Sequence, residues 1–456
     1  MSVSSSANMQ QENKMGVMPI NKLLMSMSVP MMISMLVQAL YNIVDSVFVA
    51  QINEDALTAV SLAFPIQTLM IALGAGTCVG VNALLSRSLG EKNVDMANNI
   101  AKHGIFLAAI SYIIFLIVGL TVVEPFYLTQ TKDSAIVAYG TDYLTIVCCA
   151  SFGLYAQFIF ERLLQSTGRA TYAMFTQMLG AVINLILDPI LIFGLLGFPA
   201  LGVKGAAIAT VAGQIIAGTV GYFVNIYKNE LDIRLEGFRP SLRIVGQIYA
   251  IGVPSIIMQS IGSIMVFGMN QILIAFSKTA TAVFGVYFKL QSFVFMPIIG
   301  LNNGMVPIVA YNYGARNKER MMKTYRLSLI YAVCIMVGGM LLFEAIPDIL
   351  FSLFKPSENM LQMGIPALRI IALHFPIASF CIICSSMFQA LGRAVYSMIS
   401  SICRQLVVLL PAAWVLAQFG DVNLVWWAFP IAEIGSLIVT TIFFVIVYNK
   451  VIKPIE

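Results

Sequence analysis

Charge is what this sequence has least of. Only 10% of its 456 residues are Asp, Glu, Lys or Arg, where soluble domains carry about a quarter, and mean hydropathy is +0.89. That excludes the soluble classes. Histidine is nearly absent, with only His103 and His374, so a histidine-based metal or catalytic site has no material. The seven cysteines, Cys78, Cys148, Cys149, Cys334, Cys381, Cys384 and Cys403, all fall in apolar segments. The pair in "CIIC" (381–384) sits mid-helix without a second pair to complete a metal site, and reads as packing. There is no Walker-type glycine loop, no embedded zinc motif and no Ser/Lys or Ser/His arrangement, so neither an enzyme nor a resident cofactor is expected.

Long apolar runs take the place of what is missing. A membrane-crossing helix needs about 20 mostly apolar residues. Twelve segments qualify, at 23–50, 56–86, 103–123, 138–165, 171–196, 202–227, 243–276, 281–312, 327–350, 363–391, 394–419 and 424–449. The first 18 residues are polar and unpatterned, lack the order of a signal peptide, and are expected to form a disordered cytoplasmic tail. Lys and Arg set the orientation. With both termini inside, nineteen basic residues, Arg162 among them, fall on the inner side. Only Lys132, Lys204, Lys278 and Lys355 fall outside, with Lys289, Arg369 and Arg404 at membrane depth. The net charge of +5 is therefore a topology signal, and no nucleic-acid partner is expected.

The chain repeats itself. A shift of 224 residues pairs Pro30 with Pro254, Phe64 with Phe288 and Gln67 with Gln291. It also pairs Gly76 with Gly300, Gly80 with Gly304, Gly90 with Gly314 and "LQSTGRATY" with "FQALGRAVY". Six helices per half put both halves in the membrane the same way round, related by an axis along its normal. The expected fold is an all-α integral membrane protein of twelve transmembrane helices in two pseudo-twofold-related six-helix lobes. The first lobe spans 19–227, an exposed cytoplasmic linker 228–242, and the second lobe 243–456. Substrate then lies between the lobes, and access alternates as they rock.

An Asp at the centre of a spanning helix costs roughly 2.5–3.5 kcal/mol on insertion scales and marks an ion path. Asp45 in "YNIVDSVFVAQ" and Asp188 in "INLILDPILIF" are such residues. Asn184 precedes Asp188 by four positions, so the two share a helix face, and Pro189 frees the Leu185 carbonyl as a further acceptor. These groups make a site for a proton or sodium; the plainer alternative is that each acid satisfies a neighbouring polar group. The repeat sets Asp45 against Met269 and Asp188 against Ala412, so whatever the acids do is local to the first lobe. Lys289 and Glu433 are two more charges at membrane depth, placed to pair with each other or to meet substrate. The 26 methionines and 29 phenylalanines suit a cavity that repacks around varied ligands, with Gln38, Phe158, Met174, Met178, Asn302 and Asn303 as candidate lining.

The stretches "SVPMMISMLVQALYNIVDSVFVAQI", "LLQSTGRA", "INLILDPILIFG", "LGVKGAAIAT", "GMVPIVAYNYGARN", "FQALGRA" and "VWWAFPIAE", in this order, resemble the multidrug and toxic compound extrusion (MATE) transporters over essentially the whole chain. The resemblance implies a secondary active exporter of the bacterial cytoplasmic membrane, monomeric, exchanging H⁺ or Na⁺ for lipophilic, often cationic drugs. A flippase for lipid-linked saccharide precursors is the alternative within the wider superfamily. The resemblance also implies a first-lobe cation site of Asp45, Asn184, Asp188 and Thr210, and a bend of the first helix at Pro30. Asn270 stands where some relatives carry a second-lobe glutamate.

Overall fold

The computed structural model describes residues 13–354 and 356–455; the expected tail residues 1–12 and the outer-loop Lys355 lie outside them. No strand occurs among the described residues. The first lobe contains α1 (Lys14–Val17), α2 (Ile20–Ala50), α3 (Glu54–Leu62), α4 (Phe64–Gly90), α5 (Val94–Thr121) and α6 (Val123–Gln130). It continues with α7 (Ser134–Cys149), α8 (Phe152–Ser166), α9 (Ala170–Phe193) and α10 (Val203–Lys228). The second lobe holds α11 (Leu242–Ile274), α12 (Lys278–Gly314), α13 (Lys318–Ala345), α14 (Pro347–Ser352), α15 (Glu358–Ala372) and α16 (Phe375–Ala390). Then follow α17 (Ala394–Ile402), a π-helical turn at Cys403–Leu409, α18 (Leu410–Ala417), α19 (Val422–Trp426) and α20 (Ala428–Val447).

Ten helices are long and apolar enough to cross a membrane, and two bent pairs bring the number to twelve. The pairs are α7 with α8, bent by 44°, and α15 with α16, bent by 49°. The second bend has a local cause: Pro376 enters the first turn of α16 and cannot donate back across the break. Helix starts follow capping chemistry. Asn93 and Asn317, a repeat-related pair, each accept a bond from the backbone N–H three residues on, at 3.0 Å, as N-caps do.

The glycines of the repeat close the lobes against each other. Gly76 and Gly80 of α4 abut α11, where a Cβ on Gly76 would lie 2.9 Å from the Ile256 nitrogen. Gly300 and Gly304 of α12 abut α2, where a Cβ on Gly304 would lie 2.7 Å from the Ser28 nitrogen. Gly90 meets the Tyr311 carbonyl and Gly314 meets the Arg87 carbonyl, and these two contacts are images of each other under the 224-residue shift. The contacts run from mid-helix at Gly76 and Gly300 to the end that carries the linker at Gly90 and Gly314. One backbone contact, made twice, seals that end.

Two expectations need correction here. Residues 13–18 are not an unheld tail: α1 is wedged beside both lobes with Met15 fully buried. Arg320 donates to the carbonyls of Met15 and Met18 at 3.0 and 2.8 Å, and Asn312 donates to Met15 at 3.2 Å. Hydrogen bonds from a charged donor are worth about 1.5–3 kcal/mol, enough to hold four residues with no pattern of their own. Burial, with Arg169 nearby, pushes the Lys14 ammonium below its ordinary value. The linker is likewise only partly exposed. Leu231 and Ile233 are buried against α4 and α5, Asp232 pairs with Lys102 at 3.3 Å, and His103 Nε2 accepts from the Ser241 N–H at 2.8 Å.

Candidate cation site and central cavity

Three helices of the first lobe bring the predicted cation-site residues together. Asp45 comes from α2, Asn184 and Asp188 from successive turns of α9, and Thr210 from α10. With its amide oriented to satisfy both neighbours, Asn184 donates to Asp188 Oδ2 at 3.0 Å and accepts from Thr210 Oγ1 at 3.0 Å. The Asp45 and Asp188 carboxyls lie against each other. Asp188 is fully buried, and one oxygen of each acid, Oδ1, has no protein partner. Tyr41 and Tyr143 stand close by, the latter held by Gln67 at 3.1 Å. Two carboxyls in contact, Asp188 fully buried and Asp45 half-buried, are costly to ionise together without a counter-cation. Sodium fits the chemistry of the donors: two carboxylates, an amide oxygen and a hydroxyl are oxygen ligands suited to a hard cation.

A second space, a cavity of about 500 Å³, lies between the lobes. Gln38, Phe158, Asn302 and Asn303 line it as expected. Gln38 accepts from Gln177 at 2.7 Å, and Ser34 donates to the same Gln177. Asn303 accepts from Arg162 at 2.9 Å across the lobe interface. Neither Asp45 nor Asp188 is part of the wall, so ion site and cavity are separate compartments joined by α2 and α9.

Four predicted lining residues stand elsewhere. Met174 packs against the large hydrophobic cluster shared by the two lobes, and Met178 is not on the wall, which Gln177 reaches instead. One residue on a helix is about 100° of rotation, and α9 is apolar on most sides, so its sequence could not show which face fronts the cavity. Lys289 does not pair with Glu433: its ammonium lies 5.9 Å from the Phe354 ring centroid. Glu433 is buried behind the wall and faces Arg404 Nη1 at 3.6 Å. The pairing failed because it depends on which helices are neighbours, and α20 packs on the π-helical turn that carries Arg404.

Sequence reasoning missed Glu161 and Arg162, which both line the cavity. Adjacent opposite charges inside "FGLYAQFIFERLLQS" are the available signal; placing them at the inner end of a span hid it, and Arg162 belongs to the cavity rather than to the inner surface.

The MatE family profile matches residues 30–190 and 254–415, one block in each lobe. The multidrug export protein MepA of Staphylococcus haemolyticus is 28% identical over 424 residues, covering 91% of each chain. That of Staphylococcus aureus (strain bovine RF122 / ET3-1) is 25% identical over 418 residues, again covering 91% of each. A solved structure described as the outward-facing conformation of a multidrug resistance MATE family transporter of the MOP superfamily superimposes with a TM-score of 0.92. It is 26% identical, covering 97% of this chain and 99% of that one. With twelve spans in two repeated lobes and a profile match in each, the chain belongs to the MatE family.

Proposed function

We propose that this protein is a secondary active exporter that couples influx of H⁺ or Na⁺ to efflux of lipophilic, often cationic small molecules by alternating access. The observation that carries the reading is the buried Asp45–Asp188 contact, set apart from the inter-lobe cavity. An ion there changes the charge of α2 and α9, the helices that also supply Gln38 and Gln177 to the cavity. Coupling needs only that the ion favour one lobe arrangement over the other. A potential of 100 mV contributes about 2.3 kcal/mol per net charge moved, so one ion per cycle sustains a roughly fifty-fold gradient of an uncharged drug. More than one ion is needed for the potential to drive a monovalent cation. The names of the staphylococcal relatives, multidrug export proteins, agree with this direction of transport. In this reading the protein acts as a monomer in a bacterial cytoplasmic membrane, with both termini and the glycine-sealed end inside.

The test is transport of a fluorescent cation by the purified protein in liposomes, with proton and sodium gradients imposed separately. Uphill transport should follow one of the two gradients. Transport that runs only down the drug's own gradient, with neither ion accelerating it, would overturn the coupling.

A further inference from the structure

The cavity wall carries three charged side chains, Glu161, Arg162 and Arg404, and their partners leave them unequally satisfied. Glu161 is buried and accepts from Gln157 at 2.9 Å. Arg162 commits Nη1 to Gln165 and Asn303, at 2.8 and 2.9 Å, while its Nε and Nη2 make no hydrogen bond among the described residues. Arg404 makes none at all among them. Its one charged contact is Glu433 at 3.6 Å, well beyond the roughly 2.7–2.9 Å of a bonded guanidinium–carboxylate pair. A quarter of the Arg404 side chain remains exposed, and it projects from the π-helical turn at Cys403–Leu409, a backbone form frequent at functional sites. A guanidinium is all donor and no acceptor, and both arginines front the cavity with N–H groups uncommitted.

We propose that the cavity recognises a carboxylate on an amphiphilic substrate, held between Arg162 of the first lobe and Arg404 of the second. The inference rests on the exporter reading and narrows its substrates to amphiphiles that carry an acid group beside their cationic or aromatic part. A simple cation would meet two guanidinium groups against one acid already bonded to an amide. A carboxylate gives both open forks the planar acceptor they are shaped for. Phe158, Met258 and Met296 on the same wall take the apolar body. Glu433 has the supporting role: buried behind Arg404, it offsets the guanidinium charge when the cavity is empty, yet stands too far back to occupy the donors.

The test uses two dyes of one scaffold, rhodamine 110 with a free carboxylate and rhodamine 123, its methyl ester, in liposomes containing the full chain. The protein should export the acid faster than the ester. Arg162→Gln and Arg404→Gln should each lower the acid-to-ester rate ratio by about tenfold, as expected for one charged hydrogen bond, with Arg404→Lys restoring part of it. An unchanged ratio in both variants overturns the proposal. Because Arg404→Gln leaves Glu433 unpaired and can unfold the lobe, the Arg404→Gln, Glu433→Gln double variant is measured beside it. There too a fallen ratio supports the proposal and an unchanged one overturns it. Export of the ester with none of the acid by the unmodified protein refutes the carboxylate site and leaves the exporter standing; export of neither refutes both.

Discussion

The glycine contacts that close one end of the bundle make a quantitative prediction. Replacing Gly80 by Ala puts a methyl group against the Ile248 carbonyl, and replacing Gly304 by Ala puts one against the Ser28 backbone. Each neighbour belongs to the opposite lobe and is main chain, so it cannot rotate away. Overpacking of this kind costs about 1–3 kcal/mol. The methyl group meets nothing once the lobes part, so the penalty falls on the closed arrangement alone. That shifts the ratio of open to closed by about 5- to 150-fold. Gly246, in the helix α11 that Gly80 abuts, and Gly285, in α12 with Gly304, have nothing within 4 Å of an added Cβ and serve as controls. The assay is a spin-label distance across the sealed end. Labels at Asp95→Cys and Glu319→Cys suit it, both exposed and related by the repeat, on a background freed of the seven native cysteines. Gly80→Ala and Gly304→Ala should each enlarge the long-distance population, and the two controls should leave it unchanged. Folded Gly80→Ala and Gly304→Ala proteins with the original distribution would refute the idea that these glycines set the closed state.

Asp45→Asn and Asp188→Asn should each abolish gradient-driven export while the protein still inserts, and Asn184→Ala should weaken it less, because the amide carries no charge. Asp142, half-exposed and paired with Lys204 at 3.2 Å, should tolerate Asn with a change below about 1 kcal/mol in stability; gradient-driven efflux in the Asp45→Asn, Asp188→Asn double variant would remove the acids from coupling. Pro30→Ala restores a backbone donor inside α2 and should slow turnover with little change in drug binding, as read by transport rate against equilibrium binding; unaltered turnover leaves the proline a static kink. Cysteines at Lys132 or Asp421 should react with an impermeant thiol reagent added outside intact cells, and ones at Lys318 or Glu236 should not; external labelling at Lys318 would reverse the orientation.

Much of the site was legible because burial of charge is expensive. Asp45 and Asp188 stand out of their apolar runs for that reason alone, and the spacing of Asn184 fixed its face. The repeat register was legible too, since glycine, proline and glutamine are costly to keep in helices without cause. The unreadable parts depended on neighbours. Glu433 and Lys289 sit at similar depth, but partnership follows from which helices touch, and α20 lies against Arg404. Met178 and Gln177 differ only in rotation about α9, which no property of that helix settles. The helix at Lys14–Val17 has no periodicity to read, because Arg320 and Asn312 hold it from the second lobe.

The linker between the lobes has a mechanical consequence. Its first part is fastened to the first lobe through Leu231, Ile233 and Asp232, and its last residue, Ser241, through His103. Ile244 and Ile248, in the opening turns of α11, are packed into that same cluster. A rocking motion therefore has no slack cord to draw on and must be absorbed within α11 beyond Ile248, where Pro254 already lacks one rung of the ladder. Phe238 packs its ring on His103 and Phe106 of α5, which leaves the exposed pair Glu236 and Gly237, the latter at φ +67°, as the place where the linker can be opened. A chain cut there would keep each fastening on its proper side. The two halves would then be held by packing alone, and a protein made as two separate polypeptides should still close on the same pivot.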